Sequence, residues 1–283
     1  RRENIELRRK ETVPSEMIGG SAAFRAMQGQ LDKVTKSNGR VMLSGPSGSG
    51  KESAARYIHS NSNRAAAPFV TVGCAAIEPD QMENVLFGRE SLEKGVEMGL
   101  LEEANGGIIY FDEIADMPLG TQSKILRVLV DQQFLRVGGT NKVKVDLRVV
   151  SSTSKNLESE VSAGRFREEL YHRLNVVPIA VPSLEDRRED ISLLAQHFIE
   201  RLNKEQGLAQ RAVSDDALAL LQTMTWPGNL RQLKNMIERL LILGDSNGDI
   251  SAKELSAGDA LQGNDDTGKI VLPSVMATLP LRE

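Results

Sequence analysis

Val41-Met42-Leu43-Ser44-Gly45-Pro46-Ser47-Gly48-Ser49-Gly50-Lys51 decides the fold of this 283-residue chain, because an apolar strand runs directly into a glycine-rich loop that ends on lysine. A loop wraps a polyphosphate only if its successive backbone N–H groups converge on the anion, and glycine permits the dihedrals and close approach this requires. Lys51 supplies the cation. Residues 52–59 then carry Ala54, Ala55 and Ile58 on one apolar helical face, so the loop sits at a helix N-terminus, where the dipole also favours phosphate. The generic pattern asks for Ser or Thr after the lysine; Glu52 stands there instead, so magnesium must be held by other groups. The plain alternative is a glycine-rich turn joining a core strand to a helix, with Lys51 in solvent.

A second stretch supplies matching chemistry. Ile108-Ile109-Tyr110-Phe111 is continuously apolar, as a buried parallel strand should be, and it ends at Asp112-Glu113. Ligands of open α/β sheets gather at the carboxyl ends of strands, so Asp112 is expected to face magnesium beside the Lys51 loop. Glu113, one residue on, is expected to orient and polarise an attacking water. The plain alternative is two acids at the start of a loop.

Composition narrows the class. Forty per cent hydrophobic residues and 283 positions suit one large domain plus a small one, and a net charge of −4 argues against a surface that grips nucleic acid all over. A single cysteine, Cys74, excludes an internal disulfide framework. No run approaches the roughly 20 apolar residues of a membrane span, so a cytoplasmic protein with no membrane partner is expected. Cys74, His59, His172 and His197 show no metal-ligand spacing. The chain opens on Arg1 without an initiator methionine and reads as a fragment of something longer.

Taken in order, residues 1–16 mix charges of both signs and read as an exposed helical linker. Phe24, Met27, Leu31 and Val34 then mark a helix. Ile18 and Gly19, just before it, fit an apolar shelf for a base as well as plain packing. Residues 69–72 form a short β-branched strand, followed by a helix carrying Met82, Val85, Leu86 and Phe87. Residues 119–130 are expected to bury Ile125, Leu126, Leu129 and Val130, and residues 134–137 and 142–146 to pair as a hairpin. Further strands are expected at 147–150, closed by Ser151-Ser152-Thr153-Ser154, and at 176–181. Such alternation implies a parallel sheet covered on both faces. From Pro182 the apolar period becomes helical, with Trp226-Pro227-Gly228-Asn229 breaking two helices apart and Asn229 expected as an N-cap. Residues 245–283 read mainly as a linker.

Residues 45–52, 108–113, 164–175, 182–194 and 226–233 follow in order and wording the motifs of one family. Over roughly residues 17–244 the chain resembles the central AAA+ ATPase domain of bacterial enhancer-binding, sigma-54-type response regulators. The resemblance implies an α/β fold, an αβα sandwich on a five-stranded parallel sheet (17–181), with a small helical lid (182–244). Glu after the phosphate-loop lysine is usual in that family. ATP or ADP with Mg2+ is implied as ligand, held by Ile18, Gly19, Gly45, Pro46, Ser47, Gly48, Ser49, Gly50, Lys51, Glu52 and Asp112, with Asp112 on the metal. Self-assembly into a ring or dimer is implied too, with Glu113 catalytic, Arg167 and Arg173 reaching a neighbour's γ-phosphate, and Arg231 sensing the protomer's own nucleotide. Glu169 and Arg173 equally fit a surface i,i+4 pair worth ~0.3 kcal/mol, and six residues of straight helix would turn Arg173 away from Arg167.

Two departures matter. Members of the family carry a Gly-Ala-Phe-Thr-Gly-Ala loop that touches the sigma factor after Leu-Phe-Gly; here Leu86-Phe87-Gly88 is followed by the shorter Arg89-Glu90-Ser91-Leu92-Glu93-Lys94-Gly95-Val96-Glu97-Met98-Gly99. Direct sigma-54 contact is therefore not implied. Ser154 stands where the family's sensor places Asn. The resemblance, strongest to nitrogen-response members lacking that loop, implies a phospho-accepting receiver before the chain, reading a sensor kinase, and a DNA-binding helix-turn-helix after it. Three readings stay open: an ATP-hydrolysing oligomerisation domain of a transcription regulator, a non-hydrolysing nucleotide-gated assembly module acting by DNA occupancy, and a small-molecule kinase, for which the lid and finger-like arginines have no use.

Overall fold

The computed structural model describes residues 17–91, 95–207, 211–244 and 248–260. The expected linker at 1–16 and the tail from 261 lie outside them. A five-stranded parallel sheet in the order β2-β5-β8-β1-β9 carries the architecture, built from β1 (Val41–Ser44), β2 (Phe69–Gly73), β5 (Ile108–Asp112), β8 (Arg148–Thr153) and β9 (Val177–Ala180). Two short antiparallel pairs stand outside it: β3 (Arg89–Ser91) with β4 (Gly95–Glu97), and β6 (Gln133–Leu135) with β7 (Lys142–Lys144).

Strand alternation divides the core. Val41, Leu43, Ile108, Tyr110, Val150 and Ile179 pack on one face with helices α1 (Ala22–Thr35) and α2 (Lys51–Ser60). Met42, Ile109, Phe111 and Val149 pack on the other with α3 (Pro79–Phe87), α4 (Leu100–Glu103), α5 (Leu119–Asp131), α6 (Leu157–Ser162) and α7 (Glu168–Leu174). Apolar side chains on both faces are what a parallel sheet needs. Cys74 lies in this second core, where burial, and then the Asp112 charge, push its thiol up to about 12.

A separate helical core follows. The helices α8 (Ile191–Gln206), α9 (Asp215–Thr223), α10 (Asn229–Leu243) and α11 (Ala252–Ala260) bury Leu194, Leu221, Trp226, Leu233 and Ile237 together. Ile250 pairs as an isolated bridge with Val213, and Ile250 and Leu255 are fully buried in this core. The lid core therefore reaches past the boundary at 244 that the sequence suggested, through Ile250 and Leu255 at least. Its two apolar anchors are diluted by Gly, Asp and Ser, which hides the helix from a periodicity argument.

Smaller corrections have the same origin. Val130 is 54 % exposed and Val128 takes its place in the core, while Val85 lies at the margin of α3. Asn229 is not the N-cap, which is Gly228: it is the first residue of α10, with a left-handed φ of 50°, and its side chain bonds elsewhere.

Candidate functional site

The sheet register brings the motifs level. Ser44 is opposite Thr153, Gly73 opposite Asp112, and Phe111 opposite Ser151, so the loops leaving β1, β5 and β8 share one edge. That edge is where both sequence motifs end.

The 45–50 loop is held from outside by the helical domain. Asn229 Nδ2 donates to Ser47 O at 3.0 Å, the Leu230 amide to Gly48 O at 3.0 Å, and Arg187 Nη2 to Ser49 O at 3.3 Å. Three successive carbonyls thus point at the lid. In a trans peptide the next N–H points the opposite way, so the amides of Gly48 and Gly50 turn from the lid toward the loop's concave side. The Ser49 amide bonds Pro46 O. Gly48 has φ 74°, and a Cβ there would meet Gly228 O at 2.2 Å; only glycine fits. Arg231 Nη1 lies 3.3 Å from Ser47 Oγ, so this lid arginine reaches the loop within one chain.

Lys51, only 6 % exposed, opens α2. Its Nζ donates to Gly45 O (2.9 Å) and Pro46 O (3.2 Å) and pairs with Glu113 Oε1 at 3.1 Å. Glu52 turns outward, its carboxylate taking two bonds from Arg56 at the surface.

Asp112 and Glu113 are fixed by β8. Ser152 Oγ donates to Asp112 Oδ1 at 2.7 Å, and Tyr110 Oη lies 2.9 Å from the same oxygen. Burial holds the Tyr110 hydroxyl well above its ordinary range, so it remains a donor. Glu113 sits at φ 51°, a conformation costly for a non-glycine residue and often found at functional sites. Its Oε2 accepts from the Ser154 amide (2.7 Å) and hydroxyl (2.9 Å).

The 18–21 segment is tied to the same lid turn. Asp190 accepts from the Gly20 and Ser21 amides (2.7 and 2.8 Å) and from the Ser21 hydroxyl (2.8 Å). Arg187, three residues earlier, lies over the Phe24 ring at 5.7 Å. Ile18 packs against the lid core, and a Cβ on Gly19 would strike the Phe24 ring at 2.5 Å. One lid turn therefore holds both the 18–21 segment and the phosphate loop.

The two remaining arginines stand apart from this cluster. Arg167 is the residue before α7, with extended backbone, and donates from Nε to Leu119 O. Arg173 is exposed near the opposite end of α7, close enough to Arg40 to add to the lowering of its pKa, which burial dominates. Because Arg167 lies outside the helix, the straight-helix objection does not apply to it. In this helix His172 Nε2 lies 3.7 Å from Glu168 Oε1, an ion pair only when the imidazole carries a proton; Glu169 and Arg173 form none among the described residues.

The residues fit a magnesium nucleotide. The glycine loop excludes side chains, a buried ammonium stands beside it, and one carboxylate completing a shell of phosphate oxygens and water is how magnesium is usually held. Among the described residues no group of three or more His, Cys, Asp or Glu could hold a metal unaided. Sequence reasoning missed Asn229, Arg187, Asp190, Tyr110 and Ser152. Polar residues following Val149-Val150 at the end of β8 were the available signal for Ser152.

Comparison with known proteins decides the family. The sigma-54 interaction domain family model matches residues 17–180, and the AAA+ ATPase lid domain model residues 185–269. The chain belongs to the sigma-54 interaction domain family. It is 51% identical over 258 residues to the nitrogen assimilation regulatory protein NtrX of Azorhizobium caulinodans, covering 90% of this chain and 57% of that protein. Crystal structures of NtrX from Brucella abortus superpose with TM-score 0.82. The complex with ADP is 50% identical and covers 91% of this chain and 59% of that one, and the complex with ATP is 48% identical and covers 93% and 62%. The family's five-stranded parallel sheet and helical lid are both present here. The chain spans less than two thirds of the length of each of these relatives.

Proposed function

We propose that this chain is the ATP-binding, ATP-hydrolysing and self-associating part of a two-component, DNA-binding transcription regulator concerned with nitrogen metabolism. The observation that carries the reading is the meeting of Lys51, Asp112 and Glu113 at one sheet edge beside a glycine loop closed to side chains. Nucleotide complexes of the NtrX relatives support it.

In this reading the 45–50 loop amides and Lys51 bind the phosphates, Ile18 and Gly19 border the base, and Arg231 senses the protomer's own nucleotide. Glu52, tied to Arg56, supports the start of α2. Magnesium, held by Asp112 and phosphate oxygens, supplies charge neutralisation. Glu113 orients a water and takes up its proton. Arg167 and Arg173 act on a neighbouring copy, which fits their contacts lying with Leu119 and Arg40 rather than with this chain's own loop, and an arginine supplied in trans is worth ~10³ to 10⁵ in rate in related phosphoryl transfers. Partners are further copies in a ring or dimer, DNA through a helix-turn-helix and a sensor kinase through a receiver, both outside this sequence, in the cytoplasm. Among the described residues no helix is long and apolar enough to cross a membrane.

A second reading has its own support. The 89–97 hairpin is short, and both Glu113 oxygens are engaged by protein groups, which favours a module that binds nucleotide, assembles and acts by DNA occupancy without turnover. Phosphate release by concentrated protein with Mg2+ and ATP separates the two. Turnover supports the first reading; nucleotide affinity with no release supports the second.

A further inference from the structure

The ammonium of Lys51 donates to Gly45 O and Pro46 O and stands 3.1 Å from Glu113 Oε1 as an ion pair, so three groups of this chain already surround it. A phosphate that takes Lys51 competes with these groups for the ammonium. The two carbonyls belong to the loop that would cradle the phosphate, whereas Glu113 belongs to β5 and repels an incoming anion. Glu113 is therefore the group that must give way, and how readily it does so depends on what holds its other oxygen.

That oxygen, Oε2, is held among the described residues by Ser154, from both its amide and its hydroxyl at 2.7 and 2.9 Å. The local backbone explains why. Ser152 and Ser154 are two residues apart at the end of β8, so both face the same acids. Ser152 grips Asp112, and Ser154 grips Glu113. Glu113, at φ 51°, leaves β5 by a sharp turn that lays its carboxylate between Lys51 and Ser154.

We propose that Ser154 is a positioning residue that holds Glu113 against Lys51, so that nucleotide binding competes with a Lys51–Glu113–Ser154 chain. The Ser154 hydroxyl makes Lys51 harder to recruit and so loosens triphosphate binding. This deepens, and rests on, the nucleotide reading of the site. It assigns Ser154 no contact with the nucleotide.

The test is equilibrium binding of a magnesium-bound, non-hydrolysable ATP analogue to four proteins: the parent, Ser154→Ala, Glu113→Gln and the double variant. A hydrogen bond to a charged group in a partly exposed site leads us to expect Ser154→Ala to bind about threefold to tenfold more tightly. Glu113→Gln, which loses the ion pair with Lys51, should bind more tightly as well. In the Glu113→Gln background, Ser154→Ala should have little further effect, because the chain it acts through is already broken. Ser154→Thr, which keeps the hydroxyl, should bind like the parent. A merely structural serine would shift affinity equally in both backgrounds, which overturns the proposal, as does unchanged or weaker binding by Ser154→Ala. Lys51→Ala separates the two levels of the argument. If it still binds the analogue like the parent, the nucleotide reading itself fails. If it loses the analogue while Ser154→Ala is silent, only the role of Ser154 falls.

Discussion

The phosphate loop and the β3–β4 hairpin are built on opposite plans. In the loop, three consecutive carbonyls are bonded to the lid and Lys51 is nearly inaccessible. In the hairpin, Val96 and Met98 are 53 % and 62 % exposed. The hairpin's neck is fixed by close backbone contact and by Glu90. Gly88 and Gly99 let its two ends close, since a Cβ on Gly88 would meet Glu97 O at 2.3 Å, and Glu90 is bonded to Arg136 and Asn141. The contrast teaches that, in the reading proposed above, nucleotide handling would belong to the core and lid, while the described part of the hairpin lies at the surface, tied to its neighbours at the neck. The resemblance puts the sigma-contacting loop at this hairpin, so the proposed reading expects a chain of this design to keep its nucleotide site whether or not that contact is made.

Variants on the two sides should behave very differently. Glu113→Gln has the largest expected effect, a fall of about 10² to 10⁴ in phosphate release with nucleotide binding retained. Turnover close to the parent's would remove Glu113 from the chemistry. Lys51→Ala, which deletes a buried charge and strands Glu113, should weaken nucleotide binding by on the order of 10²-fold in a titration. Retained affinity would mean that the pocket is misplaced.

Asn229→Ala probes the tie between loop and lid. It deletes the bonds to Ser47 O and the Leu184 amide and puts alanine at a left-handed position. We expect a loss of ~2 kcal/mol in denaturant unfolding and weaker nucleotide binding, and Asn229→Gly should recover the strain but not the bonds. Normal nucleotide affinity in both would show that the lid does not support the loop. Val96→Ser, on the hairpin, should change stability by less than about 0.5 kcal/mol and leave nucleotide affinity unaltered. A clear loss of affinity there would erase the contrast between the two regions.

Much of this was legible beforehand, for definable reasons. Apolar runs at 41–43 and 108–111 read as buried strands, and each ended on chemistry, so their meeting at one sheet edge followed from the rule that ligands gather at the carboxyl ends of parallel strands. The residues that escaped notice act through tertiary geometry that no local pattern encodes. Asn229 resembled a helix cap because it follows Pro-Gly, yet its left-handed backbone aims the amide at Ser47 and Leu184. Ser152 and Tyr110 looked like a strand end and a core aromatic, and their meeting at Asp112 depends on the pairing of β5 with β8. Val130 was read as buried because apolarity marks a helix face only coarsely, and the turn of α5 gave that place to Val128. Ser154 was seen as a departure from a family pattern; its grip on Glu113 needed coordinates.

The most direct test of the central claim is the rate of phosphate release per protomer, with saturating Mg2+ and ATP, as protein concentration is raised. A pocket completed by arginines from a neighbour predicts a specific rate that climbs with concentration and then levels, and that falls when Arg167 or Arg173 is replaced by alanine. A specific rate that is the same at every concentration and indifferent to both arginines would contradict it.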